Sequence, residues 1–290
     1  MATDNRVKTR LQELKAQFDL LSIGKTSLLE MIDEAEIAES VYNSNAIENS
    51  TLTLKETEKI LLDMELSRNV SLREIFEAKN LARVIKYISS KSKVELLSKD
   101  LILLLHKMLI ENINEKISGR FRSRGEYVKV GTHIAPAPQQ IEEMITNILV
   151  EYSSNQSSYF LDRIAKFHLD FETIHPFNDG NGRIGRVLIN YQLFGLGFPT
   201  LIVRNKEKLN YNISFNDYHI SNTAKPMEKI LALALMESLH KRIAYLKDLK
   251  IIPLSDYAKE VGRSSSAILN LAKRQTIPTF RENGTWKIGV

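Results

Sequence analysis

Twelve consecutive residues, His175-Pro176-Phe177-Asn178-Asp179-Gly180-Asn181-Gly182-Arg183-Ile184-Gly185-Arg186, combine an imidazole, a carboxylate, side-chain amides, two guanidiniums and three glycines between two apolar helical patterns. Glycines let a ligand approach the backbone, and the free amides at the start of a helix running from about Asn181 carry partial positive charge, so this loop suits a polyphosphate. Arg183 and Arg186 supply cationic forks for outer phosphates. Asp179 is a lone carboxylate, which suits a magnesium ion that completes its octahedron with phosphate oxygens and water. His175 is the proton acceptor, because an ordinary imidazole titrates near pH 6.5. A nucleotide is the ligand this chemistry selects. Phe177, an aromatic among polar neighbours, reads as a core anchor for the loop.

The stretch matches HxFx[DE]GNGRxxR at every defined position, and with Phe167-His168 and Phe171-Glu172-Thr173-Ile174 before it the chain resembles the Fic family. That resemblance implies a mainly α fold, a Fic-type helical core with a short β-hairpin flap, and transfer of AMP from ATP to a hydroxyl side chain of a target protein. Carried over, His175 deprotonates the attacking hydroxyl and Asp179 holds Mg2+ between the α- and β-phosphates. Gly180, Asn181, Gly182, Ile184 and Gly185 line the anion hole and its helix, while Arg183 and Arg186 grip the β- and γ-phosphates. Family members that phosphorylate carry lysine near position 182; Gly182 therefore favours nucleotidyl transfer.

Val130-Gly131-Thr132-His133 followed by Ile-Ala-Pro resembles the flap that aligns a target segment as an added strand and touches nucleotide. Tyr211 and Asn212 stand where relatives place residues beside adenine. Upstream, Ser44-Asn-Ala-Ile-Glu48-Asn49 matches the inhibitory pattern [ST]xxxE[GN], which implies a helix placing Glu48 against Arg186 in a bidentate pair and keeping resting activity low. The same loop serves AMP removal in some relatives, so a hydrolase stays an alternative. So does a nucleotide-sensing, DNA-binding regulator.

These residues need helices to position them. Apolar residues recur at three and four spacings over Val7–Asn43, Leu54–Met64, Ile75–Ile88, Leu101–Ile110, Ile141–Tyr152, Leu161–Ile174, Ile184–Leu196 and Met227–Leu246. Thr53 with Glu56 and Ser71 with Glu74 have capping-box spacing. Between Gly119 and Pro138 a short strand or hairpin interrupts, the only clear β segment expected before residue 275. Three regions follow: 1–95 helical with the inhibitory helix, 96–248 the catalytic core, and 249–290 a small winged helix-turn-helix. In the last, Ser255 caps a first helix, a second runs from about Ser265 to Lys273, and Asn283-Gly284 turns a hairpin. Between Ile251 and Val290, six basic and three acidic residues make duplex DNA a candidate partner through phosphate contacts.

Composition narrows the rest. With 12 glycines and 7 prolines in 290 residues, long uninterrupted helices are favoured. The net charge of +5 is too small to imply nucleic acid by itself. Without cysteine there are no disulfides or thiolate metal ligands. No GxxxxGK[ST] loop, HExxH pair or GxSxG elbow occurs. The longest apolar run, Ile230 to Met236, is far short of a membrane span, and the charged N-terminal residues suggest no secretory leader. A cytoplasmic protein without a membrane partner is expected, acting on a target protein or itself, with a homodimer left open.

Overall fold

Gly24, at φ +72°, breaks what the periodicity drew as one N-terminal helix into α1 (Asn5–Ser22) and α2 (Thr26–Ile47). The computed structural model describes residues 3–66, 68–91, 95–131 and 133–290. Next come α3 (Leu54–Leu61), α4 (Leu72–Lys91), α5 (Lys99–Ile110), the strands β1 (Lys129–Val130) and β2 (His133–Ile134), α6 (Ile141–Ser154), α7 (Phe160–Ile174), α8 (Asn181–Gly195), α9 (Lys208–Ser221) and α10 (Lys225–Leu246). At the start of α3, the Thr53 side chain accepts from the Glu56 amide while the Glu56 carboxylate accepts from the Thr53 amide, the full reciprocal cap. At α4 only half of the cap forms. Ser71 Oγ accepts from Glu74 N at 3.2 Å, but the Glu74 carboxylate accepts instead from Thr51 N at 2.7 Å, tying α4 to the loop after α2.

Two apolar clusters meet along α7 and α8. Phe167, Phe171 and Ile174 of α7 and Ile184, Val187 and Leu188 of α8 pack with Leu81, Leu105 and Ile145. On their other faces, Ile164 and Leu169 of α7 and Ile189 and Leu193 of α8 pack with Leu11, Leu231 and Leu235. Burial on both sides fixes these two helices against translation and rotation, since interiors packed to near-crystal density leave no room to shift. The loop between them, residues 175–180, inherits that rigidity.

The C-terminal residues form β3 (Ile251–Pro253), α11 (Leu254–Glu260), α12 (Ser265–Lys273), β4 (Thr279–Glu282) and β5 (Thr285–Gly289), with the antiparallel sheet ordered β3-β5-β4. Ile252, Leu254, Ala258, Ile268, Ala272 and Ile288 make its small core. Asn283 and Gly284 both take positive φ, 50° and 73°, as a two-residue hairpin turn requires. Two expectations fail here. Strand β3 precedes residue 275, and α11 starts one residue before Ser255 with Pro253 at its N-cap and no side-chain cap bond, because β3 runs directly into the helix. Among the described residues no helix is long and apolar enough to cross a membrane.

Candidate active site

The loop is built from below. His175 ends α7 in the left-handed region, φ 48° and ψ 61°, with its amide donating to Phe171 O at 2.9 Å, and Pro176 then forbids another helical turn. Phe177 turns inward, fully buried and stacked on the His106 ring at 3.7 Å, a burial contributing about 1.5–3 kcal/mol. The Gly119 amide donates to His106 Nδ1, so the ring proton lies on Nε2 and is donated to the Asp179 carbonyl at 3.0 Å. Burial pushes the His106 pKa down to about 4, in keeping with that neutral ring. Arg122, also buried, donates to the carbonyls of His175 (2.8 Å), Glu126 (2.9 Å) and Pro136 (3.0 Å), joining the loop to the segments on either side of the hairpin.

Above this floor, the first amides of α8 open toward the site, with Gly180 at φ 83° turning the chain into the helix. The Asn181 side chain braces the loop, its Oδ1 accepting from Phe177 N and its Nδ2 donating to Phe177 O, both at 2.8 Å. The His175 imidazole is pushed down to about 4, first by burial and then by the Arg122 charge, against the Glu172 carbonyl and Glu48. It is therefore neutral at working pH and able to accept a proton.

The expected contact between Glu48 and Arg186 is present, with a different geometry. Arg186 donates through Nη2 to Glu48 Oε1 at 2.8 Å and to Ser44 O at 2.9 Å, and through Nε to Ser44 Oγ at 2.9 Å. One carboxylate oxygen is engaged rather than two, because Ser44 takes the remaining donors on that edge of the guanidinium. Burial opposes ionisation of Glu48, yet the charge and hydrogen bond of Arg186, helped by Arg183, hold its carboxyl below the ordinary range. A Cβ at Gly182 would lie 2.2 Å from Glu48 Oε1, so the carboxylate rests against bare backbone.

Tyr211 does not offer a free face to a base. It is buried beneath Arg186, with its hydroxyl 2.7 Å from His168 Nε2, because α9 folds that side chain into the core; Asn212, next in sequence, is exposed. Arg183 and Arg186 are each engaged by a carboxylate. Arg183 donates to Asp179 Oδ1 at 2.9 Å, and its Nη1 lies 3.2 Å from Glu77. In the hairpin, β1 and β2 pair antiparallel with Val130 opposite His133, and Val130 and Ile134 are exposed. His133 Nε2 donates to Thr173 O at 2.9 Å, and the ring stacks on His219 at 4.2 Å. Gly131 is at φ 58°, while Thr132 lies outside the described residues.

The sequence pattern missed Arg73, Glu77, Arg122, His106 and Glu172. The Glu172 carboxyl, 11% exposed and 3.8 Å from His175 Nδ1, is pushed up to about 8 by burial and by its neighbour Glu48. Its Oε1 has no hydrogen-bond partner among the described residues and sits where a Cβ on Gly185 would come within 2.4 Å. Its place one turn before His175 on α7 was the signal available. Among the described residues no three His, Asp or Glu side chains gather as metal ligands. A lone carboxylate such as Asp179 is a donor that magnesium accepts beside phosphate oxygens and water, and in this structure both its oxygens are engaged by Arg73 and Arg183.

Residues 96–193, which hold α5 to most of α8 with the hairpin and the loop, match the model of the Fic/DOC family. The chain is 28% identical over 256 residues to a protein adenylyltransferase Fic of Nematostella vectensis, covering 87% of this chain and 58% of that protein. The chain thus spans little more than half the length of such relatives. A Fic domain containing signaling protein from Bacteroides thetaiotaomicron superposes with a TM-score of 0.75 at 25% identity, over 82% of this chain and 97% of that one. A Fic family protein from Desulfovibrio desulfuricans shares the fold over 99% of this chain and 97% of its own, at 0.68 and 19% identity.

Proposed function

We propose that this chain is a protein adenylyltransferase that moves AMP from ATP to a hydroxyl of a target protein or of itself, held at rest by Glu48. The observation that carries the reading is the convergence of a buried neutral imidazole, a helix N-terminus and a guanidinium already gripped by an acid from α2. In the reaction, His175 takes the proton of the attacking hydroxyl as its oxygen bonds to the α-phosphorus. The bond from that phosphorus to the β-bridging oxygen breaks, and pyrophosphate leaves. The α8 amides and Arg183 neutralise charge that grows on the phosphates. Magnesium, held by Asp179, supplies further neutralisation of the triphosphate when bound. Arg186 reaches the outer phosphate only after Glu48 lets go.

A single charge-assisted hydrogen bond contributes about 1.5–3 kcal/mol, equivalent to roughly a ten- to hundredfold bias toward the resting state. Glu48→Gly is expected to raise AMP adducts by about that factor, read by intact mass after incubation with ATP and magnesium. Adding His175→Ala should lower transfer by about 10²–10⁴. No adducts in Glu48→Gly, on itself or on proteins of the source cell, would overturn the reading. The division at 95 and 248 belongs to the same proposal, as does a cytoplasmic setting. The exposed Arg263, Asn270, Lys273 and Arg274 beside and on α12 favour a second role, duplex DNA binding by the C-terminal unit; retention on DNA that vanishes steeply with salt is its test.

A further inference from the structure

Two pairs of opposite charge, each spaced by four residues, face one another across the site. On α4, Arg73 Nε donates to Glu77 Oε1 at 3.0 Å; across from it, Arg183 Nη2 donates to Asp179 Oδ1 at 2.9 Å. The pairs run in opposite polarity, so they close. Arg73 Nη2 reaches Asp179 Oδ2 at 2.5 Å, and Arg183 Nη1 lies 3.2 Å from Glu77 Oε1. We infer that this four-membered ring of alternating charges is an exchangeable plug, in which Arg73 holds the magnesium position at Asp179 and Glu77 holds the phosphate position at Arg183 until nucleotide and metal displace them. The inference deepens the adenylyltransferase reading and rests on it.

The ring bears first on Asp179. Both its oxygens carry a guanidinium, so a cation can be accepted only if one leaves. The exposures decide which. The Arg73 side chain is 58% exposed and Arg183 4%, so Arg73 swings into water at little cost while Arg183 has nowhere to go. A divalent ion at Asp179 would also repel Arg73 directly. Arg183 in turn keeps unspent donors. Its buried Nε has no hydrogen-bond partner among the described residues, and its contact with Glu77 falls outside hydrogen-bond geometry. An anion that satisfies those donors gains more than Glu77 does. Arg73 and Glu77 are thus positioning residues that set the threshold for loading the site.

The test is binding, with the full chain carrying Glu48→Gly so that the outer phosphate has its arginine. Magnesium is titrated into protein and a non-hydrolysable ATP analogue, and bound nucleotide is read by calorimetry or fluorescence. Arg73→Gln should lower the magnesium concentration at half-saturation by about two- to fivefold, the effect of removing one exposed ion pair. Arg73→Lys should stay near the parent, and Glu77→Gln should tighten metal-free nucleotide by a similar factor. An unchanged or raised magnesium midpoint in Arg73→Gln overturns the inference. If that variant does not fold, unchanged metal-free affinity in Glu77→Gln overturns it equally. No transfer step enters this measurement, so it can fail while adducts form on Glu48→Gly, and it can succeed while they do not.

Discussion

Helix α2 meets charge at two places, and the two are built differently. At its end, Glu48 makes one contact to Arg186 from a side chain that is 42% exposed. Along its middle, Glu36 and Glu39 enter a buried network, with Asp33 at its exposed rim. Arg242 reaches Asp33 at 2.5 Å and Glu36 at 2.6 Å, Lys241 lies 3.1 Å from Glu36, and Arg204 joins Glu39 to Glu237. Strand β4 completes it, with Arg281 on Glu237 at 2.6 Å and the Gly284 amide donating to Glu39 at 3.0 Å. A buried acid left without its partner is far more costly than an exposed one. The helix is therefore fixed along its length and lightly attached at its tip, so releasing Arg186 asks for rotation of one side chain rather than departure of a helix.

Breaking the middle should be the largest effect. Glu237→Gln removes the acid that buried Arg204 and Arg281 share, leaving Glu39 alone for one and Glu207 alone for the other, and is expected to cost about 3–5 kcal/mol, read by urea unfolding; a loss below about 1 kcal/mol would erase the distinction from surface pairs. Acid comes next. Burial depresses His106, His175 and His240 to about 4 and His168 to about 3, so the unfolded chain takes up protons below pH 6.5 that the folded chain refuses. Stability from these groups is complete above pH 6.5 and declines as pH falls toward 4. A thermal midpoint that holds level between pH 6.5 and 4.5 would contradict their burial. The smallest effect belongs to the tip. Glu48→Gly should cost about 1.5–3 kcal/mol of unfolding free energy even as adducts rise, and a loss as large as that of Glu237→Gln would mean that the tip is anchored as firmly as the middle.

The loop could be read in advance because its chemistry is contiguous in sequence, from His175 to Arg186. The caps at Thr53 and the turn at Asn283-Gly284 were equally local. Helix α9 was missed because it buries only Tyr211 and Ser214 and so shows no apolar stripe. Strand β3 is three residues long and ends in proline. Arg73 and Glu77 look like any surface pair on α4, since nothing in their neighbourhood reveals Asp179 and Arg183 a hundred residues away. The pairing of Glu48 with Arg186 was foreseen, but its one-oxygen geometry was not, because only the fold shows Ser44 spending the other donors.

Gly182 carries a consequence of its own. Any side chain there would have to push the Glu48 carboxylate aside, its Oε1 standing 2.2 Å from where a first carbon would go. Under the proposed autoinhibition, the resting contact therefore depends on the bareness of position 182 as well as on the acid at position 48.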